Sequence, residues 1–274
     1  CKINISIEYP FMKISKHISL LILAAFFNSA TQAALPDEIQ VYDGEINVPG
    51  EFGLELHVNT SLVGVSTPSF DRERLSDKGV RITPEFTYGL SKTVELGFYV
   101  PTIYTQEYGY EVAGYKPRLK WMPIQADESQ PWSLGVNFEY ANLRYGMEDS
   151  QERFESRFIV GWQGKDWNFA FNPIFSTNLS PGFSRTPELS TFARALYKTK
   201  GELLNGIGLE YYQSWGPYDS FVPNTEQPKQ MFVVAELSSQ TGFFKYFDLH
   251  AGIGKGWNTA DPLVFKMILT PKFK

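Results

Sequence analysis

Apolar and polar residues alternate along most of this chain, and that period-two pattern limits its fold more than any other feature. In EFGLELHVN (51–59), every second residue from Phe52 is apolar, and the residues between them are mostly polar. Such alternation indicates a β-strand with one apolar face and one polar face. The apolar face could cover the core of a soluble sandwich, or it could contact lipid while the polar face lines the lumen of a membrane barrel.

The alternation recurs in about twelve segments, each near the length that a tilted strand needs to cross a bilayer. The segments span approximately 51–59, 80–90, 94–100, 115–121, 132–143, 153–162, 167–176, 188–198, 204–214, 229–238, 246–257 and 263–273. Short turns and longer polar loops alternate between them, as is typical of bacterial barrels. We therefore predict an all-β fold, a transmembrane antiparallel up-and-down β-barrel of about twelve strands.

The first part of the chain has the features of a secretory signal peptide. Lys13 and Lys16 precede an apolar run, ISLLILAAFF (18–27), and the mostly small residues of NSATQA (28–33) follow it. The run is too short for a spanning helix, so it indicates secretion, with cleavage near Ala33. The predicted organisation is an upstream extension at 1–11, a signal peptide at 12–33, an N-terminal periplasmic segment at 34–49 and an outer-membrane β-barrel at 50–274.

A signal peptide followed by barrel strands predicts a protein of the outer membrane of a Gram-negative bacterium. The one cysteine, Cys1, precedes the predicted cleavage site, so the secreted chain can form no disulfide of its own. The formal net charge of −5 argues against nucleic acid as a partner. The last predicted strand ends on the aromatic Phe273, which favours recognition by the barrel assembly machinery over a plain edge strand.

Tryptophan gives an independent test of which face meets lipid. By parity, all six tryptophans fall on the apolar face and close to strand ends. Amphipathic rings settle at the level of the lipid headgroups, so we expect one girdle at each membrane interface, with chance placement as the alternative. The predicted girdle residues are Trp121, Trp132, Trp162, Trp167, Trp215 and Trp257.

The polar faces carry charged side chains of both signs, and we expect these side chains to line the lumen and set its selectivity. Eight strands give a lumen filled by side chains and sixteen leave a water channel, so ion pairs could either close a twelve-stranded lumen or narrow it. Residues 34–49 could form a small plug or an ordered tail. The predicted lumen network comprises Glu55, His57, Glu85, Glu95, Lys116, Arg118, Lys120, Glu155, Arg157 and His250.

Few residues are candidates for chemistry. His57 and His250 are the histidines that follow the predicted cleavage site, and barrel closure would bring them within about two strand spacings of each other. With neighbouring carboxylates they could form a metal or acid–base site, but a polar network that fills the lumen explains them more simply. Ser133 and Ser190 lie on strands far from both histidines. We therefore predict no catalytic residue, no metal and no cofactor.

Three prolines conflict with the predicted strands. Pro84, Pro117 and Pro173 lie inside segments that should pair on both sides. Proline removes a hydrogen-bond donor from the ladder, and a closed barrel has no edge strand to hold it. We expect these prolines to mark bulges or strand ends.

Four segments spread over the chain also carry a resemblance to a known family: EIQVYDGEINVPGEFGLELHVN (38–59), WNFAFNPIFS (167–176), GLEYYQSWGP (208–217) and DLHAGIGKGWNTADPLVFKMIL (248–269). They resemble a group of bacterial outer-membrane β-barrel proteins of unknown function. That group is related to the family of outer-membrane transporters of the meta-pathway of phenol degradation. The resemblance implies a single barrel domain and brings no established substrate or catalytic residue.

The sequence therefore predicts a porin-like barrel without enzyme activity that passively transports or binds small molecules through a narrow charged lumen. The resemblance suggests apolar or aromatic solutes. The expected partners are outer-membrane lipid, the barrel assembly machinery and a small-molecule solute. Two alternatives stay open: an outer-membrane hydrolase that uses His57 and His250, and a structural barrel with a sealed lumen.

Overall fold

A computed structural model describes residues 37–272 of the protein. The predicted extension at 1–11, the signal peptide at 12–33 with its cleavage near Ala33, and the final Phe273 lie outside the described residues. Within residues 37–272, no helix is long and apolar enough to cross a bilayer. The described elements are β1 (Phe52–Val63), β2 (Val80–Gly89), β3 (Val94–Tyr99), β4 (Thr102–Thr105), β5 (Gly109–Val112), β6 (Gly114–Ile124), β7 (Trp132–Leu143), β8 (Glu152–Gln163), β9 (Trp167–Asn178), β10 (Glu188–Lys198), β11 (Leu204–Pro217), β12 (Lys229–Leu237), a 3-10 helix (Phe243–Lys245), β13 (Phe247–Trp257) and β14 (Leu263–Pro271).

The strands form one closed antiparallel barrel with twelve positions around its wall. Each position pairs with the next along the chain, and β1 pairs with both β2 and β14, which closes the sheet on itself. β3 and β4 share one position, and β5 and β6 share the next, because the strands are interrupted at Val100–Pro101 and at Ala113. The predicted all-β barrel of about twelve strands is confirmed.

The predicted strand bounds agree with the observed ones, with the largest differences at the long-loop ends. β7 has the bounds predicted from the alternation, 132–143. β1 continues to Val63 and β11 to Pro217, beyond the predicted ends at 59 and 214. Both extensions contain small or polar residues, so the ladder continues where the apolar alternation has stopped.

The three prolines lie inside strands, at places where the ladder is interrupted. Pro84 faces the break between β3 and β4, and its carbonyl accepts a hydrogen bond from the Val100 N–H at 3.1 Å. The β6–β7 register passes over Pro117, and the β8–β9 register passes over Pro173. Each proline therefore occupies a point where one neighbouring strand makes no regular pairing with it, which removes the need for its missing donor.

The two faces of the wall have opposite chemistry. Large apolar side chains are exposed on the outer face, among them Phe86, Leu96, Trp132, Phe171, Leu209 and Ile253. Charged side chains are buried on the inner face, and His57 and Lys266 are both 0% exposed. This arrangement reverses that of a soluble protein and is the one expected when the outer face contacts lipid.

Residues 37–47 lie inside the barrel and give the lumen small apolar cores. Ile39 and Val41 pack against inward-facing apolar residues of the wall, which are Ala170, Leu196, Tyr212, Phe232, Val234 and Val264. Tyr42 packs with Met122 and Ile159. Of the two alternatives for this part of the chain, a plug and a tail, the structure has an ordered segment that crosses the lumen.

Candidate functional site

The candidate site is the lumen. Residues 37–47, here called the lumen segment, cross it from the long-loop end to the short-turn end. At the long-loop end, Asn59 Nδ2 donates to the carbonyl of Asp37 at 3.2 Å. At the short-turn end, Asn47 Nδ2 donates to Thr87 Oγ1 at 2.7 Å. The segment therefore lies across the path that any solute would take.

Side chains of the wall, rather than its backbone, bond the main chain of the lumen segment. This follows from closure, because the wall strands already use their N–H and C=O groups in the ladder. At mid-lumen, Asn172 bonds both polar groups of Tyr42, its Oδ1 accepting from the N–H at 2.7 Å and its Nδ2 donating to the carbonyl at 2.9 Å. Three more contacts of this kind are Lys266 Nζ to Ile39 O (3.0 Å), Lys120 Nζ to Glu45 O (3.2 Å) and Asn47 N–H to Glu95 Oε2 (2.8 Å).

The lumen segment is acidic, and its carboxylates pair with cations of the wall. Asp37 lies 3.0 Å from Lys116, and Asp43 is paired with Arg194. Burial alone would raise the pKa of Asp37, but the positive charges of Lys116 and Arg81 outweigh burial and hold that pKa below its usual value. The segment thus neutralises part of the positive charge that the wall directs into the lumen.

The first wall cluster, here called the Glu85 cluster, is a cross-strand network at the short-turn side of the lumen. Arg118 donates to Glu85 Oε1 through Nε at 2.7 Å and through Nη2 at 2.5 Å, and its Nη2 also donates to Glu95 Oε1 at 2.8 Å. Gly97 makes room for this guanidinium, since a Cβ at Gly97 would lie 2.4 Å from Arg118 Nε. The members of the cluster are Glu55, His57, Glu85, Glu95, Arg118 and Lys120.

The second cluster, the Lys116 cluster, joins the wall to the start of the lumen segment. Lys116 lies 2.8 Å from Glu139 as well as 3.0 Å from Asp37. Arg157 lies 3.1 Å from Glu155 on its own strand and 3.3 Å from Glu38 of the lumen segment. Three of the predicted lumen residues, Lys116, Glu155 and Arg157, therefore meet here rather than in the Glu85 cluster.

The third cluster, the Glu210 cluster, contains only one residue of the predicted lumen network, which is His250. His250 Nε2 lies 3.1 Å from Glu210 Oε1, and Tyr212 donates to Glu210 Oε2 at 2.6 Å. Lys266 also bonds Glu210. Strand parity places Glu210 and Lys266 on the polar face, but only the three-dimensional register brings them to the same level as His250. The other members are Arg194, Glu236 and Asp43.

The two lumen histidines lie at one level of the barrel but belong to separate clusters. His57 and His250 both pair in register with Ile268, from opposite sides of β14, which agrees with the predicted separation of two strand spacings. The buried Ile268 lies between them. His57 contacts Glu55 and Glu85 instead, and neither histidine is hydrogen-bonded to a hydroxyl group within residues 37–272.

The lumen segment leaves a cavity on each side of itself. The larger one, about 540 Å³, opens toward the short turns and is lined by charged groups that include Glu45, Glu55, Glu95 and Lys120. The smaller one, about 170 Å³, lies toward the long loops beside Asp37, Glu155 and Asp261. The lumen is thus divided into two polar cavities by a single crossing of extended chain.

The six predicted girdle tryptophans lie on the outer face and near strand ends. Trp121, Trp132, Trp162 and Trp167 lie at the short-turn end, and Trp132 pairs in register with Trp162. Trp215 and Trp257 lie at the long-loop end. Trp215 is half-buried, and its Nε1 donates to Thr191 Oγ1 at 3.0 Å. Contact of these rings with lipid headgroups stays a prediction.

Comparisons with known proteins show the fold. No protein-family model matches the sequence, and no curated protein sequence does. The structure is similar to that of an outer membrane channel from Pseudomonas putida F1, with a TM-score of 0.55 and 12% identity over 86% of this chain and 100% of that one. It is also similar to the KdgM porin, with a TM-score of 0.51 and 7% identity over 81% of this chain and 99% of that one.

Proposed function

We propose that this protein is an outer-membrane channel that lets small polar or ionic solutes pass passively and whose lumen segment limits that passage. The observation that carries the proposal is the division of a charged lumen into two cavities by one crossing of chain, residues 37–47. A structural barrel would need no such cavities, because side chains alone could fill its interior.

The way the lumen segment is held supports a constriction rather than a permanent seal. It contacts the wall through side-chain hydrogen bonds, ion pairs and apolar packing, and none of residues 37–47 belongs to a strand. Contacts of this kind can be lost without unpairing the barrel. Displacement of the lumen segment would join the two cavities. We therefore expect the position of this segment to set the conductance.

The central experiment compares the wild-type protein with a deletion of residues 37–47 in planar bilayers. We expect discrete conductance steps from both, with larger steps after the deletion, because the deletion removes the chain that separates the cavities. Heat-modifiable migration on gels and circular dichroism would establish that the deletion variant still forms a barrel. A folded deletion variant without any conductance would contradict the proposal and leave the sealed structural barrel.

The solute class and the location in the outer membrane are also proposals. The charged lining of the larger cavity favours polar or ionic solutes over the apolar or aromatic ones that the resemblance to the phenol-degradation transporters suggests. Liposome swelling with acetate, glycine and phenol derivatives would separate these classes. Co-fractionation with outer-membrane markers on a sucrose gradient would test this location, and soluble protein in the periplasm would contradict it.

The proposal contains no catalytic step. Both lumen histidines contact carboxylates, an arrangement that orients an imidazole but supplies no nucleophile. Lipid or peptide hydrolysis by the purified protein, lost in His57→Ala and kept in a folded control variant, would overturn this part of the proposal and support the hydrolase alternative.

A further inference from the structure

We propose that Glu55, His57 and Glu85 form a binding site for one divalent transition-metal ion of the Zn²⁺ class. One donor atom from each residue, the imidazole Nε2 and two carboxylate oxygens, lies within 4.8 Å of the others. Imidazole nitrogen and carboxylate oxygen are both ligands that Zn²⁺ uses, whereas Ca²⁺ takes six to eight oxygen ligands. The inference does not depend on the proposed channel function.

The distances from His57 to the two carboxylates fit a tetrahedral ion. Zn²⁺ binds nitrogen and oxygen at about 2.0–2.1 Å, so neighbouring donors of a tetrahedral site lie about 3.4 Å apart. His57 Nε2 lies 3.0 Å from Glu85 Oε2 and 3.5 Å from Glu55 Oε2, values on either side of that separation. His57 Nδ1 makes no hydrogen bond, and Nε2 is the ring nitrogen that both carboxylates contact.

The charge around the site favours a cation. Glu55 and Glu85 face each other directly across β1 and β2, and like charges in that position repel. Arg118 neutralises Glu85, but no lysine or arginine within residues 37–272 forms an ion pair with Glu55. Because Arg118 bonds Glu85 through Oε1, the Oε2 atom of Glu85 stays directed at His57 and Glu55.

The lumen segment offers a fourth donor. Gln40 Nε2 lies 3.4 Å from Glu55 Oε2, and Gln40 Oε1 is buried without a hydrogen-bond partner. Rotation of this carboxamide by a half-turn would exchange its two ends and direct Oε1 toward Glu55 and the proposed ion. Gln40, Glu55 and Glu85 line the larger cavity, so an ion could enter from the short-turn end. A bound ion would then join the lumen segment to the wall.

Isothermal titration of the untagged, detergent-solubilised protein with ZnCl₂ tests the site. We expect one ion per chain, and His57→Gln should weaken binding by more than about 100-fold, because loss of even an outer partner of a ligand costs about 10–100-fold. His250→Gln is the matched control, since His250 also contacts two carboxylates but through opposite ring nitrogens. Co²⁺ bound in place of Zn²⁺ should give an intense visible absorption band that is absent in His57→Gln.

A second ligand variant keeps the test decisive if His57→Gln folds poorly. Glu55→Gln removes a ligand but leaves the Arg118–Glu85 pair intact, so a folded protein with at least about tenfold weaker binding is expected. Wild-type affinity in Glu55→Gln and His57→Gln, equal loss in His250→Gln, or no saturable Zn²⁺ binding by the wild-type protein would each overturn the proposal.

Discussion

The lumen accommodates the charge of Lys266 because each of its donors meets an acceptor. The ammonium group of Lys266 has three donors and, at 0% exposure, three acceptors: Glu210, the Tyr212 hydroxyl and the carbonyl of Ile39. Full pairing offsets the cost of burying this charge, whereas removal of one partner leaves the other charge buried and unpaired.

Lys266→Met should therefore lower the free energy of unfolding by about 3–5 kcal/mol, because Glu210 loses its fixed cation inside the barrel. Urea titration of the protein in detergent, followed by tryptophan fluorescence, measures the change. Lys200→Met, the same substitution at an exposed turn position, is the control and should have almost no effect. Equal stability of both variants would show that the ion pair contributes nothing.

Glu45 gives the lumen segment a pH dependence. The neighbouring charge of Asp43 raises the pKa of Glu45 to about 7. An acid whose pKa is raised in the docked state favours that state when protonated, so docking weakens as the pH rises from 4.5 through about 7. Between about pH 4.5 and pH 7 we expect the single-channel conductance to increase, and Glu45→Gln should remove most of that increase. An identical pH profile in both proteins would contradict this role of Glu45.

At the scale of strands, alternation predicts which face of the wall a residue occupies but not its height along the barrel axis. Parity alone is enough to place Glu55, Glu85 and Glu210 inside the barrel. It does not show that Glu55 faces Glu85 or that Glu210 faces Arg194, because those pairs depend on the register between strands. Three lumen clusters rather than one network follow from that register.

The lumen segment is harder to predict than the strands because its contacts are not local. It pairs with no single strand, and the side chains that hold it come from several strands of the wall. Asn172, which bonds both main-chain groups of Tyr42, is 130 residues away in sequence. Only Ile39 and Val41 hint at burial, and two apolar residues do not separate a plug from a tail.

Asn172→Ala should release the middle of the lumen segment. The substitution leaves the N–H and the carbonyl of Tyr42 without partners, and each unmet buried group costs about 1–3 kcal/mol. We expect longer or more frequent high-conductance openings in planar bilayers. Asn137→Ala is the matched control, because Asn137 is equally buried but its side chain forms no hydrogen bond. If the two variants gate alike, Asn172 does not hold the segment.

At the scale of the whole molecule, the barrel combines a wall closed by backbone hydrogen bonds with an interior segment held by side chains. The wall is closed by backbone ladders on every strand, whereas the lumen segment is held by side chains, through polar contacts such as that of Asn172 and through the apolar packing of Ile39 and Val41. Most charges of the larger cavity, among them Glu55, Glu95 and Lys120, belong to the wall, so they stay in place when the segment moves. Ion preference and conductance should consequently respond to different substitutions.

Lys120→Glu tests that separation. Lys120 lines the larger cavity, 3.6 Å from Glu95, and the substitution changes the cavity charge by two units toward negative. We expect the reversal potential in a salt gradient to shift toward cation preference, with a smaller change in conductance. Lys92→Glu makes the same charge change in the short turn after β2, outside the lumen, and should shift the reversal potential far less. Equal shifts in the two variants would mean that ions sense the charge of the mouth rather than that of the cavity, and the placement of the selectivity site in the lumen would then be wrong.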